Sequence, residues 1–411
     1  MTAKPILYIC DDEASPPDRG DEQDAPASAV PAGDPEEAVR LFHELMRRRA
    51  EIFGHEERLP PPASGEELDA LEEGIGFVLP ADLRALYRVA NGDGTLTTAL
   101  FDHHPWIPVE EVGDEDDEWA KIAREWQYDP QRTPVLDAVP ANAVRRSILR
   151  PGWIRFAHDT GGNWLAVDMD PAPDGRPGQV IGIGVDYGEA PLYIADSVTA
   201  FLRRLVEALE RGDYTSDEDD LHIEAGLPDW YEAEDARSLN TDARSLAGSA
   251  SRPHLQKVGL TGVEDLGFLE ALPNLRVAAF SGPGHLDLTP LRALPVEALE
   301  LELESVDLAP LAGHAHVRSL TVRSKAPVDL APLRTLPRLW ALDVSAAPAA
   351  DIATIAELPG LRYLEVCHDQ WRKLCDDLPA LSVVGIRPPE QEWRAGWTTV
   401  HGPPPSPRPG R

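Results

Sequence analysis

The chain has 411 residues and a formal net charge of −33, and the acidity is unevenly placed. Residues 1–250 contain 22 Lys and Arg against 52 Asp and Glu, whereas residues 251–411 contain 16 against 19. Such a charge repels nucleic acid and anionic membranes and attracts basic proteins, although it also serves solubility alone. The 3 cysteines form no disulfide framework. No run approaches the roughly 20 apolar residues of a membrane helix, so we expect a cytoplasmic protein.

Three segments read as connections or tails. Residues 1–34 are rich in proline, alanine and acidic residues without apolar periodicity, which predicts a disordered tail. Residues 215–254 are polar, and we interpret them as a linker and a cap, with LPDWYEAEDARSL as a possible short helix. Residues 388–411 form a second, Pro-rich tail.

The first folded region opens with three predicted helices. Asp34 is an N-cap residue followed by a proline at the first helical position. A second helix starts at Ser64, and Glu67 completes its capping box. A third helix, LPADLRALYRVANGDG, ends at the Asn-Gly pair that begins with Asn91.

Strand patterns follow these helices: WIRFAHD, NWLAVDMD and QVIGIGVD. SVTAFLRRLVEALERGDY then predicts an amphipathic helix capped near Ser197. This order predicts an α+β domain over residues 35–214, with a central, mainly antiparallel sheet packed by helices.

Four stretches of this domain resemble the SUKH superfamily: SGEELDALEEGIGFVLPADLRALYRVANGDG, WIPVEEV, GWIRFAHDTGGNWLAVDMDPAPDGRPGQVIGIGVD and ADSVTAFLRRLVEAL. The superfamily includes a fungal cell-wall synthesis regulator and many bacterial toxin-immunity proteins. The resemblance implies a non-enzymatic protein-binding domain which, in bacterial members, neutralises a toxin domain. Residues 102–142 fit the superfamily less well.

Residues 255–387 repeat the pattern L-x-x-L-x-L at steps of 20 to 22 residues, from LQKVGL to LSVVGI. A second motif, such as DLAPLRTLP, lies between the copies. A unit this short buries its apolar side only against its neighbours, so the copies predict a solenoid. The pattern resembles short, internalin-like leucine-rich repeats, although the asparagine that usually follows L-x-L is missing. We therefore expect an α/β leucine-rich-repeat solenoid of about seven short repeats.

Residues 158–189 contain the densest candidate chemistry. An EF-hand beginning at Asp168 would place Ala172 and Pro173 where a ligand and a glycine are required. The glycines of this stretch are out of step with the dinucleotide fingerprint. We interpret Asp168 and Asp170 as fold determinants of paired strands and a turn. We expect no metal and no other cofactor.

The histidines also give little support to catalysis. His103, His104 and His158 accompany no serine or cysteine nucleophile motif. Adjacent histidines on an extended segment point to opposite sides, which is poor geometry for binding one ion. We expect ordinary surface or turn residues, no catalytic residues and no enzyme.

Two surfaces are predicted to bind protein. The first is an acidic loop that would contact a basic partner, with a solvated loop as the alternative; it consists of Glu110, Glu111, Asp114, Glu115, Asp116, Asp117, Glu118 and Trp119. The second is a patch on the exposed face of three adjacent repeats, rich in types that are enriched at interfaces. Its members are Arg318, Arg323, Trp340, Asp343, Arg362, Tyr363 and Glu365.

The leading functional hypothesis is a bacterial-type immunity or antitoxin protein that binds a basic toxin domain stoichiometrically. The alternative is an intracellular scaffold or regulator that binds host proteins through both modules. The family resemblance and the charge asymmetry motivate the first hypothesis. The identity of the partner, its stoichiometry and the oligomeric state are left open by the sequence.

Overall fold

The computed structural model describes residues 5–10, 24–94, 96, 99–101, 103–113, 130, 135–217, 220–225, 237–243, 252, 254–374, 378, 380–388 and 397–404. They fall into two compact units. We call the unit with residues 24–113 and 135–225 the α/β unit. The other, the parallel-sheet unit, contains β1 (Ile6–Ile9) and residues 237–404. Within the described ranges, every helix is too short or too polar to cross a membrane.

The described residues of the α/β unit form four helices and a four-stranded antiparallel sheet in the order β2-β3-β4-β5, with a short hairpin of β6 and β7. The helices are α1 (Pro35–Phe53), α2 (Gly65–Ile75), α3 (Ala81–Tyr87) and α4 (Val198–Arg211). A 3-10 helix spans Val109–Glu111. The strands are β2 (Trp153–His158), β3 (Asn163–Asp168), β4 (Gln179–Gly184), β5 (Leu192–Ala195), β6 (Tyr214–Ser216) and β7 (Leu221–Ile223).

The helix caps predicted from the sequence are confirmed. Asp34 Oδ1 accepts the backbone N–H groups of Glu36 and Glu37, both at 3.0 Å. The Ser64 hydroxyl and the Glu67 carboxylate bond reciprocally to each other's backbone N–H. Ser197 Oγ likewise accepts an N–H in the first turn of α4. These bonds satisfy donors that an uncapped helix leaves unpaired.

The main core of the α/β unit lies between the helices and one face of the sheet. Its centre is a set of edge-on and tilted aromatic rings, which are Phe42, Phe101, Trp106, Phe156 and Phe201. The opposite face of the sheet is covered as well, because Ala138, Ala143 and Val144 pack on Ala166 and Ile181. Both faces of these strands are therefore buried.

One buried carboxylate joins the starts of three helices. Asp82 Oδ2 accepts the backbone N–H of Thr199 at 2.9 Å and its hydroxyl at 3.0 Å. The same Thr199 oxygen accepts the N–H of Asp34 at 3.0 Å. Asp82 is fully buried, and these bonds replace the water that its charge loses. The contacts fix α1, α3 and α4 relative to one another at their N-termini.

The parallel-sheet unit contains one ten-stranded sheet in the order β16-β1-β15-β14-β13-β12-β11-β10-β9-β8. Its strands are β8 (Ser238–Asp242), β9 (Lys257–Thr261), β10 (Val277–Ser281), β11 (Ala298–Leu303), β12 (Ser319–Ser324), β13 (Ala341–Ala346), β14 (Tyr363–Cys367), β15 (Val383–Arg387) and β16 (Thr398–His401). Strands β8 to β15 pair in parallel, so each of the seven predicted L-x-x-L-x-L copies supplies one strand.

The segments between successive strands from β9 to β14 contain 3-10 helices, and α5 (His368–Leu374) connects β14 to β15. The aspartate of the second motif starts three of them: Asp287, Asp307 and Asp329 each accept a backbone N–H two residues ahead at 2.9 Å. The leucines of both motifs meet in one continuous core. In this chain the motif aspartates thus bond to the return segments.

Both predicted tails and the predicted linker contribute strands to this sheet. For residues 6–9 this corrects the prediction of a disordered N-terminal tail. β1 pairs antiparallel with β15 and parallel with β16, while β8 comes from the linker. Tyr8 of β1 is buried in the core, and Trp397 of the C-terminal segment stacks with the Arg387 guanidinium at 4.1 Å. A short apolar run is not stable as a strand by itself, but it is stabilised when it pairs with the edge of an existing sheet. The predicted helix LPDWYEAEDARSL lies largely outside the described residues, and its Ser238 belongs to β8.

Candidate functional site

An open groove of about 1090 Å³ lies within the α/β unit. Its first wall is α2, its second is the 3-10 helix with the two residues after it, and its third is the segment that leads into β2. The lining residues are Glu67, Ala70, Leu71, Gly74, Ile75, Val109, Glu110, Val112, Gly113, Leu149, Arg150, Pro151, Trp153, Ile154 and Arg155. Pockets of this size accommodate a few side chains of a ligand.

Helical spacing explains which side of α2 faces the groove. Glu67, Ala70, Leu71, Gly74 and Ile75 are separated by three or four residues, so they form one stripe. Leu68 lies off this stripe and is fully buried in the core. Ala70 and Gly74 are small and exposed, which makes the groove deep at the middle of the stripe.

The second wall is positioned by Asn91. Its side-chain oxygen accepts the N–H of Val109 at 2.9 Å, and its amide nitrogen donates to the Glu110 carboxylate at 3.0 Å. Gly113 then passes close to α2 with φ of +83°, where a Cβ would lie 2.7 Å from the Ile75 side chain. A larger residue at this position would be strained and would push against Ile75.

The first two walls are acidic. Beyond the lining residue Glu67, α2 carries four further carboxylates, Glu66, Asp69, Glu72 and Glu73. Glu110 and Glu111 add two on the 3-10 helix. Arg84 pairs with Asp69 at 2.5 Å and with Glu72 at 2.8 Å, and thus offsets part of this charge. A half-exposed apolar surface therefore lies inside a negative rim.

The third wall supplies apolar and basic groups. Leu149 and Pro151 contact the groove, and Arg150 forms an ion pair with Asp170 at 2.5 Å. Trp153 is 3% exposed, and its indole Nε1–H has no hydrogen-bond acceptor. The Trp153 side chain belongs to the cluster on the other face of the sheet, together with Ala166 and Ile181.

Residues 158–189 have the structural role expected from the sequence. Asp168 is fully buried, its carboxylate accepts the Gln179 amide and the Asp170 N–H at 2.9 Å each, and Asp170 also pairs with Arg145. Burial raises the pKa of Asp168 to about 7, although those two hydrogen bonds oppose the shift. In the described part of the chain, no group of three His, Cys, Asp or Glu side chains is placed to hold a metal ion.

The histidines lie at turns and on the surface. The His103 ring stacks on His222, with ring nitrogens 3.1 Å apart. His158 Nδ1 accepts the backbone N–H of Thr160 at 3.1 Å. Asp159, next to it, accepts the N–H groups of Gly161 and Asn163. These contacts order the β2–β3 turn and bring together no nucleophile and base.

The acidic loop is only partly described. Glu110 and Glu111 are exposed on the 3-10 helix, and Glu110 lines the groove. The other predicted members of this loop, Asp114, Glu115, Asp116, Asp117, Glu118 and Trp119, lie outside the described residues.

The predicted patch on the repeats is not an open surface, which corrects our expectation of exposure. Five of its members are 4–7% exposed, namely Arg318, Trp340, Asp343, Tyr363 and Glu365. Arg323 is half-buried, and Arg362 alone among the seven is exposed. Strands in a sheet lie about 4.8 Å apart, so large side chains on one face reach each other. Trp340 meets the Tyr363 ring edge-on at 6.3 Å.

Two charged members of this patch, Glu365 and Arg323, form ion pairs across strands. Glu365 accepts from Arg387 at 2.8 Å, and Arg323 bonds to Glu300. Asp343 lies beside Glu365 in the sheet register. Burial raises the pKa of Asp343, and it raises the pKa of Glu365 to about 7, with the neighbouring Asp343 charge adding to the shift. These side chains form a packed layer over β12 to β15.

The same face is more open at its other end. A depression of about 520 Å³ lies over β8 to β11. Gly259 and Ala279 lie there at the register position that Asp343 and Glu365 occupy on β13 and β14. Asn240, Glu300 and Glu302 border the depression. The size of the side chains on each strand therefore decides where this face is open.

Sequence reasoning missed the groove of the α/β unit. Ala70, Leu71, Gly74 and Ile75 provide a readable signal, since small and apolar residues at helical spacing interrupt an acidic helix. The contribution of β2 and of the residues before it has no such signal, because they line the same groove as α2 only in the folded unit.

Residues 62–204 match the SMI1 / KNR4 family (SUKH-1), a range that contains every residue of the groove. The glucan synthesis regulatory protein of Neurospora crassa is 30% identical over 184 residues, covering 37% of this chain and 34% of the fungal protein. The cell wall biosynthesis/cell cycle regulator smi1 of Schizosaccharomyces pombe is 30% identical over 167 residues, covering 38% and 33%.

The cell wall assembly regulator SMI1 of Saccharomyces cerevisiae is 23% identical over 194 residues, covering 39% of this chain and 38% of the yeast protein. The chain thus spans about a third of the length of the curated relatives it matches. These similarities support a SUKH domain at residues 62–204, as the sequence resemblance suggested. The repeats of residues 255–387 lie outside the matched range.

Proposed function

We propose that this chain is a non-catalytic regulatory protein whose α/β unit binds a protein partner in its groove. The observation that carries the proposal is the position of the groove, which lies wholly inside the range shared with the SMI1/KNR4 family. The similar fungal proteins are named as regulators. Exposed apolar side chains in a concave site favour binding of another macromolecule.

The absence of catalytic function is part of this proposal. Asp168 and Asp170 are engaged in hydrogen bonds and ion pairs that hold the sheet and the following turn. His103 and His158 bond to a second histidine and to a turn amide. A catalytic base instead needs reach to a substrate proton.

We assign the parallel strands and 3-10 helices of residues 255–387 to a leucine-rich-repeat solenoid that offers a second binding surface. The in-register apolar rows and the repeating aspartate caps support this assignment. In a solenoid each repeat contacts only its neighbours. Deleting one complete repeat, residues 317–338, should leave a folded sheet by circular dichroism, whereas deleting residues 317–327 should unfold the unit. Equal loss of structure in both deletions would argue against the assignment.

The groove proposal is tested by affinity capture with the full chain. Gly74→Trp fills the groove, since a Cβ at this position meets no atom within 4 Å. Glu73→Trp places the same bulk on the neighbouring, exposed position of α2. We expect the wild type and Glu73→Trp to retain one protein from a lysate, identified by mass spectrometry, and Gly74→Trp to lose it. Retention of no protein, or equal retention by all three chains, would contradict the proposal.

A toxin-neutralising role is the second candidate. The net charge of −33, concentrated in residues 1–250, favours a basic partner, as an immunity protein for a cationic toxin would require. Co-expression with a toxin domain encoded beside this chain should protect the host cell, and complex formation should slow steeply as salt increases. Cell death despite co-expression would exclude the toxin-neutralising role, and only the regulatory role would then stand.

A further inference from the structure

We propose that the groove of the α/β unit binds a partner segment in which one aliphatic or aromatic side chain is flanked by lysine or arginine. The inference rests on the proposed protein-binding function and specifies the chemistry of the partner. Two independent features of the groove support it: its apolar stripe and its acidic walls.

The apolar stripe accounts for the central side chain of the segment. Leu71 and Ile75 are half-buried on α2, and Leu149 faces the same groove. Ala70 and Gly74 leave space between them. An aliphatic or aromatic side chain fills such a space and removes apolar surface from water, as anchor residues of interfaces do.

The charges select the flanking residues. Glu67 and Glu110 line opposite walls, and their helices carry further carboxylates outside the groove. On the third wall, Arg150 is already paired with Asp170. Lysine or arginine beside the anchor is attracted to both acidic walls, whereas an acidic segment is repelled by them.

The experiment uses a phage-displayed library of twelve-residue peptides, selected against the full chain. We expect the recovered peptides to combine one large apolar residue with adjacent lysine or arginine. Gly74→Trp should weaken their binding at least about tenfold, and Glu73→Trp should leave it unchanged.

The charge requirement has its own matched pair of variants. Glu67→Gln with Glu110→Gln removes two charges but keeps the capping and Asn91 hydrogen-bond acceptors. Glu207→Gln with Glu224→Gln removes two charges from exposed positions away from the groove. We expect about threefold to tenfold weaker binding and a smaller salt dependence only in the first pair.

Three results overturn the inference: recovery of acidic or uncharged peptides, equal binding by Gly74→Trp, or recovery of no peptide. If affinity capture still retains a protein that Gly74→Trp loses, the protein-binding function stands while this partner chemistry fails. If capture retains nothing, the protein-binding function itself fails.

Discussion

The groove of the α/β unit and the face over β12 to β15 use side-chain size in opposite ways. In the groove, Ala70 and Gly74 leave space beside half-buried apolar residues. Over β12 to β15, Trp340 and Tyr363 contact each other, and Glu365 pairs with a neighbouring arginine. Tryptophan, tyrosine and arginine are enriched at interfaces. On neighbouring parallel strands, however, these side chains pack against one another, so enrichment alone does not identify an open surface.

The largest expected effect compares one leucine from each region. Leu320→Ala on β12 removes a fully buried side chain from the continuous core. It should lower the free energy of unfolding of the parallel-sheet unit by about 2–5 kcal/mol. Leu71→Ala in the groove wall should cost about 1 kcal/mol or less, because Leu71 is only partly buried. Hydrogen exchange resolved for peptides of each unit measures both losses in free energy of unfolding. Equal losses would contradict the assignment of Leu320 to a core and Leu71 to an open groove wall.

The second prediction concerns pH and the packed layer. The pKa of Glu365 in the folded chain is raised to about 7, so the folded state holds this proton more tightly than the unfolded state. Stability from Glu365 is therefore present below the unfolded pKa and is lost as pH rises toward 7, at up to about 1.4 kcal/mol per pH unit. The raised pKa of Asp343 acts in the same direction.

Glu365→Gln should flatten this pH dependence in hydrogen exchange of the parallel-sheet unit between pH 4.5, the ordinary pKa of this carboxyl, and its folded pKa of about 7. Glu302→Gln, an exposed position on β11, is the matched control and should retain the wild-type slope. Identical slopes for the wild type and Glu365→Gln would show that the packed layer does not hold the proton.

A smaller effect is expected at the start of the groove wall. Ser64→Ala removes the hydroxyl that accepts the Glu67 N–H at 3.2 Å. Loss of this cap should destabilise the α/β unit by about 0.5–2 kcal/mol, with the parallel-sheet unit unchanged. Urea denaturation, followed by exchange in each unit, measures the change. A loss in the parallel-sheet unit as well would contradict this localisation.

The smallest effect is a gain. Gly74→Ala adds a methyl group in open space within α2 and should stabilise the α/β unit by about 0.5–1 kcal/mol. Gly76→Ala provides the opposite control, because Gly76 ends the helix with φ of +73° and also has open space around it. The strain at a positive φ should make that variant less stable. Thermal unfolding of both variants decides the comparison, and a gain in both would exclude backbone strain as the cause.

Local patterns predicted the elements of both units well where neighbouring residues suffice. The Asp34, Ser64 and Ser197 caps involve bonds over two or three residues, and they are present as predicted. The repeats give one strand per L-x-x-L-x-L copy because each unit packs on an almost identical neighbour. The groove was not predicted, since Trp153 and Gly74 meet there from distant parts of the chain.

By itself, the sequence determined the helix caps, the strand in each repeat and the structural role of Asp168. These properties depend on periodicity and on short-range hydrogen bonds, which are readable along the chain. The tertiary structure alone decided that Tyr8 enters the sheet core, that Trp340 and Glu365 are covered, and that Ala70 opens a groove. Burial depends on contacts between side chains that are distant in the sequence, and a local sequence pattern does not predict those contacts.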